Sequence, residues 1–311
     1  MSINREEEKS VRSAISQIPQ LQNYQGPIVR LGGLTNRVYA LDDKVLRLAG
    51  AGTEEYINRL HEAEAARIAA AAGVSPALIY VDATSGTMVT KRVEDAFTMS
   101  PESFKTRTGA PGRAAKALRI LHSSNGVFPF RFELFAMIDD YLKILSNKVI
   151  ALPDGYHAVL READTIRKVL VANPTQLVPC HCDPLCENFI DTGTRMWIVD
   201  WEYSGMNDPM WDLGDLSVEG NFTAKQDAEM LMAYFGSKPT SADHGRMVIY
   251  KAMCDLLWTL WGLIQLANNN PADDFQAYAE TRFKRCKTLM AEDAFANHIQ
   301  AVAKPQPNRT A

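Results

Sequence analysis

The segment Leu177–Trp201 constrains the fold of this chain more than any other. An apolar run leads into Cys180-His181-Cys182-Asp183-Pro184-Leu185-Cys186-Glu187-Asn188, a turn follows at Asp191-Thr192-Gly193, and Met196–Val199 then ends at Asp200. This pattern predicts two short strands with a polar loop between them. It also predicts that the chain brings a further acidic residue, Asp200, back next to that loop. An ordinary loop capped by Asp and Asn is the alternative, although such a loop does not require the second acidic residue.

The order H-x-D-x-x-x-x-N inside this loop is the spacing of a kinase catalytic loop. Phosphoryl transfer needs a carboxylate that orients or accepts the proton of the attacking hydroxyl, and Asp183 is placed for that role. It also needs oxygen ligands for Mg²⁺ beside the ATP phosphates, and Asn188 and Asp200 can converge on the ion. We expect His181 to hold the loop by hydrogen bonds rather than to react.

Composition and charge exclude several classes of partner. The chain has 311 residues and a net charge of −4 without a long basic run, so we expect no nucleic-acid partner. The N-terminus is charged, unlike a secretory signal, and no apolar stretch is expected to reach the roughly 18 residues of a spanning helix. The most apolar run, Leu256–Ala267, is too short and contains Gln265. We therefore expect a cytoplasmic protein that does not insert into a membrane.

Three of the five cysteines form a cluster, Cys180, Cys182 and Cys186, which encloses His181. A zinc site is one interpretation, but zinc ligands usually come as two separated pairs and no second pair follows. Reduced, buried cysteines are the better interpretation.

The order of elements predicts a β-rich lobe followed by a helical lobe. The expected strands are Ile28–Leu31, Arg37–Leu41, Val45–Leu48, Ala77–Asp82 and Thr87–Arg92, with a helix from an N-cap at Thr53 to Gly73. The expected later helices are Gly112–Ser123, Phe132–Lys148, Gly155–Ala172 and most of 208–303. We expect a nucleotide-binding lobe over 1–92, a catalytic and acceptor-binding lobe over 93–311, a hinge at Thr90–Val93 and a disordered tail over 304–311.

Two stretches, HCDPLCENFI and IVDWEYSGMNDPMWDLGDLS, resemble the choline/ethanolamine kinases within the wider aminoglycoside-phosphotransferase and protein-kinase-like fold. The resemblance extends from about Leu31 to about Phe283. It implies a bilobal α+β fold, ATP as co-substrate and Mg²⁺ as cofactor. Asp183 is then the matched catalytic base, and Asn188 and Asp200 are the matched magnesium ligands.

The sequence patterns that indicate ATP-binding residues are weaker than the catalytic-loop pattern. The loop from Leu31 to Tyr39 resembles the phosphate loop of the family, with Gly33, Thr35 and Asn36 near the phosphates, although a plain hairpin turn explains the local sequence equally well.

The resemblance also gives Arg47 the place of the strand lysine of protein kinases, where a guanidinium can grip phosphate oxygens. Helical periodicity favours Glu64 as its acidic partner, whereas family spacing favours Glu62, which we prefer. Val89 and Lys91 belong to the segment that we expect to contact adenine through backbone hydrogen bonds.

The acceptor side is indicated by aromatic residues near the C-terminus. The patterns L-W-x-L-W-x-x-x-Q and Y-A-x-x-R-F resemble the last helices of choline kinases, which matches Trp258, Trp261 and Tyr278 to the residues that surround the quaternary ammonium. Packing in the core is the alternative for such side chains. The match directs Glu219 toward the acceptor, with Asp215 as a less certain neighbour, while Asp212 is expected to support the catalytic loop.

The sequence thus predicts ATP-dependent phosphorylation of the hydroxyl of choline, giving phosphocholine. Ethanolamine, thiamine or an aminoglycoside remains an alternative acceptor for the same fold, although an aminoglycoside needs more carboxylates than this sequence offers. A non-catalytic binder of quaternary amines is a further alternative, but it does not require Asp183, Asn188 and Asp200 together. No pattern in the sequence indicates an oligomeric state.

Overall fold

An antiparallel sheet forms the N-terminal part of the protein in a computed structural model that describes residues 3–32, 36–50 and 57–304. Its strands are β1 (Val29–Gly32), β2 (Arg37–Leu41), β3 (Lys44–Leu48), β4 (Leu78–Asp82) and β5 (Thr87–Lys91). They are ordered β1-β2-β3-β5-β4, with every neighbouring pair antiparallel. The turn between β2 and β3 contains Asp42 at a φ of 50°, a conformation that Asp tolerates better than most residues.

Two helices accompany this sheet. Helix α1 (Arg5–Ser16) packs apolar side chains against the inner strands, where Val11 and Tyr39 are both fully buried. Helix α2 (Arg59–Ala71) begins after Asn58, whose side chain accepts hydrogen bonds from two backbone N–H groups of the first turn.

The C-terminal part is mainly helical. Its helices are α3 (Pro101–Thr106), α4 (Ala110–His122), α5 (Leu134–Ser146), α6 (Tyr156–Ala172), α7 (Pro209–Glu219), α8 (Ala224–Phe235), α9 (Ser241–Ala267), α10 (Phe275–Met290) and α11 (Asp293–Ala303). Helix α9 is long and apolar enough to cross a membrane, but 89% of its most apolar window is buried inside the protein. Its composition therefore fits the central helix of the core, against which α7, α10 and α11 pack.

Short strands hold the functional loop on this helical base. They are β6 (Phe97–Thr98), β7 (Val178–Cys180), β8 (Phe189–Asp191), β9 (Met196–Ile198) and β10 (Gly205–Asn207). Strand β7 pairs with β10, and β8 pairs with β6 and β9. Asp191 at the end of β8 is fully buried and accepts hydrogen bonds from Arg107 and Arg113, each at 2.8 Å. These bonds fix the hairpin to α3 and α4.

The α+β class and the two-part order of elements agree with the sequence prediction. Thr53, the predicted N-cap, lies outside the described residues; Ile57 and Asn58 are not helical, and α2 begins at Arg59. The short elements α3, β6 and β10 were not predicted, since two to six residues are too few to show a period. All five cysteines are buried and unpaired. The expected tail lies outside the described residues beyond Lys304.

Candidate active site

The first turn of α7 supports the loop between β7 and β8. Asp212 there is fully buried and accepts hydrogen bonds from the backbone N–H groups of His181, at 2.7 Å, and Cys182, at 2.8 Å. Its carboxylate also meets Nε2 of His122 at 3.0 Å. Cys182 has a φ of 67°, a strained conformation that these bonds stabilise. The structural role predicted for Asp212 is therefore confirmed.

His181 links the loop to the strand that follows it. Its Nε2 lies 2.9 Å from the carbonyl oxygen of Val199, and its ring packs against Trp201 at 4.9 Å between centroids. Burial lowers the pKa of His181, so the ring is neutral and Nε2 carries the proton that it donates. This is the supporting contact that the sequence predicted for His181.

The chain segments that carry Asn188 and Asp200 are joined through the backbone. The side-chain nitrogen of Asn188 donates to the carbonyl oxygen of Asp183 at 3.0 Å, which leaves its amide oxygen as the available ligand atom. The backbone oxygen of Asn188 accepts from Val199, next to Asp200, at 3.0 Å. Oδ1 of Asp200 is buried and accepts no hydrogen bond from the described residues. An amide oxygen and a carboxylate oxygen are ligands that Mg²⁺ prefers, so these two residues fit a magnesium site.

Asp183 lies within this loop, near other carboxylates. Burial first, and then the charges of Asp215, Glu219 and Asp200, raises the pKa of Asp183 well above its ordinary value. A carboxylate with raised proton affinity is a better acceptor for the proton of a substrate hydroxyl. The environment of Asp183 therefore suits a general base.

On the sheet side, Arg47 is nearly buried and surrounded by acids. It forms ion pairs with Glu62, with Glu202 at 3.0 Å and with Asp200 at 3.4 Å. Burial alone would lower the pKa of Arg47, but the charges of Asp200, Glu62 and Glu202 outweigh it and raise the pKa. Arg47 is therefore a fixed cation at the junction of the sheet and the catalytic loop.

The structure decides between the two candidate partners of Arg47. Glu62 is 1% exposed and also pairs with Arg59 at 2.7 Å, whereas Glu64 is exposed and pairs with Arg67 at 3.2 Å. The face of α2 that packs inward is the one with small side chains, because alanine allows the helix to approach the sheet closely. The preference for Glu62 over the periodicity argument is confirmed.

Glu202 was missed in the sequence prediction. Its carboxylate contacts Arg47 at 3.0 Å, Arg59 at 3.5 Å and the side chain of Asn36 at 3.1 Å. Burial, followed by the charge of Asp200, raises the pKa of Glu202 to about 7. The available signal was its position two residues after Asp200, which can place both carboxylates at the same junction.

Only part of the expected phosphate loop can be located. Gly33 and Thr35 lie outside the described residues. Asn36 is buried, donates to Asp200 at 3.3 Å and accepts from the backbone N–H of Gly50 at 3.2 Å. Its side chain therefore reaches the metal-ligand candidate, as a residue of a phosphate-binding loop would.

The expected adenine contacts do not match the sheet. Val89 is fully buried in β5, an interior strand, and the backbone N–H of Lys91 donates to Ala77 at 2.8 Å. The N–H of Arg92 likewise donates to Asp43 at 2.8 Å. These two N–H groups are therefore used within the protein.

The aromatic residues of α9 and α10 come together as predicted. The rings of Trp258 and Trp261 are 6.5 Å apart and nearly perpendicular, and Trp261 lies 5.7 Å from Tyr278. Tyr203, which was not predicted, adds a fourth ring 5.6 Å from Trp258, and its hydroxyl accepts from Nε1 of Trp261 at 2.9 Å. We call Tyr203, Trp258, Trp261 and Tyr278 the aromatic cluster.

Glu219 does not stand free beside this cluster. It forms an ion pair with Arg282, whose guanidinium carbon lies 4.6 Å from the ring centre of Tyr278. The protein thus supplies its own cation to Glu219 and to one face of Tyr278. Arg282 belonged to the Y-A-x-x-R-F pattern, but nothing in the sequence indicated its partner.

Comparison with known proteins agrees with this geometry. The model of the phosphotransferase enzyme family matches residues 28–250. A choline/ethanolamine kinase family protein from Mesorhizobium loti has 62% identity and a TM-score of 0.90, with 95% of this chain and 99% of that chain covered. The choline kinase LicA from Streptococcus pneumoniae has 28% identity and a TM-score of 0.77, with 92% and 99% covered. Ethanolamine kinase 1 of Mus musculus is 25% identical, with 81% of this chain and 80% of that protein covered.

The fold and the catalytic loop define a phosphotransferase, and the chain belongs to the phosphotransferase enzyme family. Within it, the similarity over almost the whole chain places the protein in the choline/ethanolamine kinase family. The bilobal, protein-kinase-like α+β fold is therefore confirmed.

Proposed function

We propose that the protein transfers the γ-phosphate of ATP to the hydroxyl of choline and produces phosphocholine. The observation that carries the proposal is the aromatic cluster beside the catalytic loop: the ring of Trp258 lies 6.5 Å from that of Trp211, whose Nε1 donates at 3.0 Å to the carbonyl oxygen of Cys182, next to Asp183. A hydroxyl at Asp183 and an ammonium group against aromatic rings are the two ends of one small amino alcohol.

Each of the proposed site residues has its own role in the reaction. Asp183 accepts the proton of the acceptor hydroxyl as its oxygen attacks the γ-phosphorus and the bond to ADP breaks. Mg²⁺ held by Asn188 and Asp200 would supply positive charge at the phosphates. Arg47, held by Glu62, contributes a guanidinium for phosphate oxygens, and Asn36 lies within reach of the same region.

ATP as co-substrate has support from a relative. LicA in a structure with bound AMP has 27% sequence identity to this chain, with 93% of this chain covered and a TM-score of 0.73. We place the nucleotide between a lobe formed by residues 1–92 and one formed by residues 93–311. We also place the enzyme in the cytoplasm, where ATP is available.

Ethanolamine is the strongest alternative acceptor, because an ethanolamine kinase is among the relatives. A primary ammonium needs several hydrogen-bond acceptors, whereas a trimethylammonium group has no N–H and is held by ring faces. Four clustered rings favour the second kind of cation. Thiamine and aminoglycosides share the reacting hydroxyl but have larger bodies or more charges.

The deciding experiment measures ADP release with ATP, Mg²⁺ and one acceptor at a time: choline, ethanolamine, thiamine or kanamycin. We expect kcat/KM to be highest for choline. A higher value for another acceptor would replace choline, and binding of choline without turnover would leave a non-catalytic binder.

A further inference from the structure

Three buried side chains form a hydrogen-bonded series that joins helices α4 and α8 to the catalytic loop. Nδ1 of His122, at the end of α4, lies 2.8 Å from the hydroxyl of Tyr234 on α8. Nε2 of His122 lies 3.0 Å from Oδ2 of Asp212 on α7. The least buried of the three, Tyr234, is 9% exposed. Each polar group in this series has a partner, as groups without contact to water require.

The partners decide which atoms of this series donate. A carboxylate accepts hydrogen bonds, so Nε2 of His122 donates to Asp212, which leaves Nδ1 to accept from the hydroxyl of Tyr234. Burial raises the pKa of Tyr234, and its hydroxyl therefore keeps the proton that it donates. The hydrogen bonds thus run in one direction, from Tyr234 through His122 to Asp212.

Asp212 is the point at which this series meets the backbone of the catalytic loop. Its Oδ2, which accepts from His122, also accepts from the N–H of His181 at 2.7 Å. Its Oδ1 accepts from the N–H of Cys182 at 2.8 Å. The bond from His122 therefore helps to set the plane of a carboxylate that orients two successive peptide groups of the loop.

The second of these residues lies directly before the base candidate. Cys182 has a φ of 67°, which side chains other than glycine rarely adopt, and Nε1 of Trp211 donates to its carbonyl oxygen at 3.0 Å. The next residue is Asp183, whose own carbonyl oxygen accepts from the side chain of Asn188 at 3.0 Å. A rotation of the backbone at Cys182 would therefore displace the base candidate and a metal-ligand candidate together.

We propose that His122 is a positioning residue of the phosphotransfer reaction: its hydrogen bond to Asp212 orients the catalytic loop and thereby aims Asp183 at the acceptor hydroxyl. This inference rests on the proposed function and goes beyond it. Tyr234 acts one step further away, because its hydroxyl holds the ring of His122. A displacement of about 1 Å at a reacting group can cost about 100-fold in rate, even when the substituted residue lies far from the chemistry.

The first test compares two replacements of His122. Gln places an amide nitrogen near the position of Nε2 and keeps a donor for Asp212, whereas Leu fills a similar space without a donor. We expect His122→Leu to lower kcat about 10- to 100-fold, with the KM values for ATP and acceptor unchanged. His122→Gln should keep kcat within about threefold of the wild type, because the donor is restored.

Equal losses of kcat in the Leu and Gln variants, or a loss that appears in KM instead of kcat, would overturn the proposal. Should His122→Leu fail to fold by circular dichroism, His122→Asn takes its place, since its polar side chain is too short to reach Asp212. Tyr234→Phe keeps the bond between His122 and Asp212 and should lower kcat less than His122→Leu does.

The second test asks whether His122 acts through Asp183. In the Asp183→Asn background, His122→Leu should cost less than about threefold in kcat, because the group that it positions has been removed. The same loss of about 10- to 100-fold in both backgrounds would give His122 a structural role only, and the proposal would fall. His157→Leu, at an exposed histidine of α6, is the matched control and should leave kcat unchanged in both backgrounds.

Both tests are run with choline and with ethanolamine, so that this inference and the proposed function can fail separately. Absence of choline turnover in the wild type would contradict the proposed function alone, since the same ratios with ethanolamine still decide the role of His122. Hydrogen exchange at the backbone N–H groups of His181 and Cys182, followed by NMR, needs no acceptor. Exchange should be faster in His122→Leu than in His122→Gln, and equal rates in both variants would overturn the proposal.

Discussion

The nucleotide side and the acceptor side both combine arginines with carboxylates, but they distribute the charge differently. On the nucleotide side, Arg47 is shared by three acids, Glu62, Asp200 and Glu202. On the acceptor side, Arg282 and Arg285 pair with Glu219 and Asp255, and no ion pair in the described part of the chain includes Asp215. One region therefore joins its charged groups in a network around one arginine, and the other leaves a buried carboxyl group outside its ion pairs.

The difference follows from the charges that each region must receive. In the proposed reaction, Arg47 would contribute a guanidinium for phosphate oxygens, and Asp200 would supply a carboxylate for Mg²⁺. Ring faces would in the same reaction enclose one organic cation that brings no other charge. The four predictions below test these two arrangements, in order of decreasing effect.

Asp200→Ala should have the largest effect, because this carboxylate belongs both to the Arg47 network and to the proposed metal site. We expect turnover to fall by at least about 10³-fold, since a bound metal contributes several kcal/mol of charge stabilisation. The measurement is ADP release at saturating Mg²⁺ and ATP. A chelator should inhibit the wild type without lowering its melting temperature, and added Mg²⁺ should restore activity. Ordinary Mg²⁺-ATP turnover in Asp200→Ala would rule out the metal site.

Asp183→Asn should lower kcat by about 10²–10⁴-fold, the usual contribution of a positioned general base. The KM for ATP should change little, because Asp183 is not a member of the Arg47 network. Steady-state kinetics with both substrates varied would measure this, with the exposed Asp164→Asn on α6 as a control that keeps full activity. A near-normal kcat in Asp183→Asn would remove this residue from the mechanism.

Glu62→Gln tests whether the network positions Arg47 for the phosphates. Removing the charge of a buried partner should raise the KM for ATP about 10- to 100-fold, the range for a hydrogen bond to a charged group. The control Glu64→Gln changes an exposed residue two positions further along the same helix. It should leave kcat and the KM for ATP unchanged. If the two variants behave alike, the ion pair between Arg47 and Glu62 has no part in nucleotide binding.

Trp261→Ala should have the smallest effect of the four. It should raise the KM for choline about 2- to 30-fold, the range for loss of one cation–π contact, and leave the KM for ATP unchanged. Trp261→Phe should recover part of the affinity, because it restores a ring face without the hydrogen bond to Tyr203. An unchanged KM for choline in Trp261→Ala would show that the aromatic cluster is packing rather than a binding site.

The sequence by itself determined the elements whose signal is local. Strands β2, β3 and β5, the longer helices of the C-terminal part and the H-x-D-x-x-x-x-N loop were predictable, because hydrophobic periods and motif spacing depend on near neighbours in the chain. The support of the loop by Asp212 was also predicted, from the family match. The start of α2 at Asn58 was not predicted, because several polar residues before the helix could serve as a cap and local sequence does not choose among them.

Only the tertiary structure decided how the charges are paired. Glu62 and Glu64 are two residues apart, yet the close approach of α2 to the sheet buries the first and exposes the second. Glu202, Tyr203 and Arg282 acquire their roles from partners 58 to 155 residues away along the chain. Asp215 is distinguished from Glu219 by which of them Arg282 reaches. Such choices depend on distances of a few ångströms between elements, and a single sequence contains no measure of those distances.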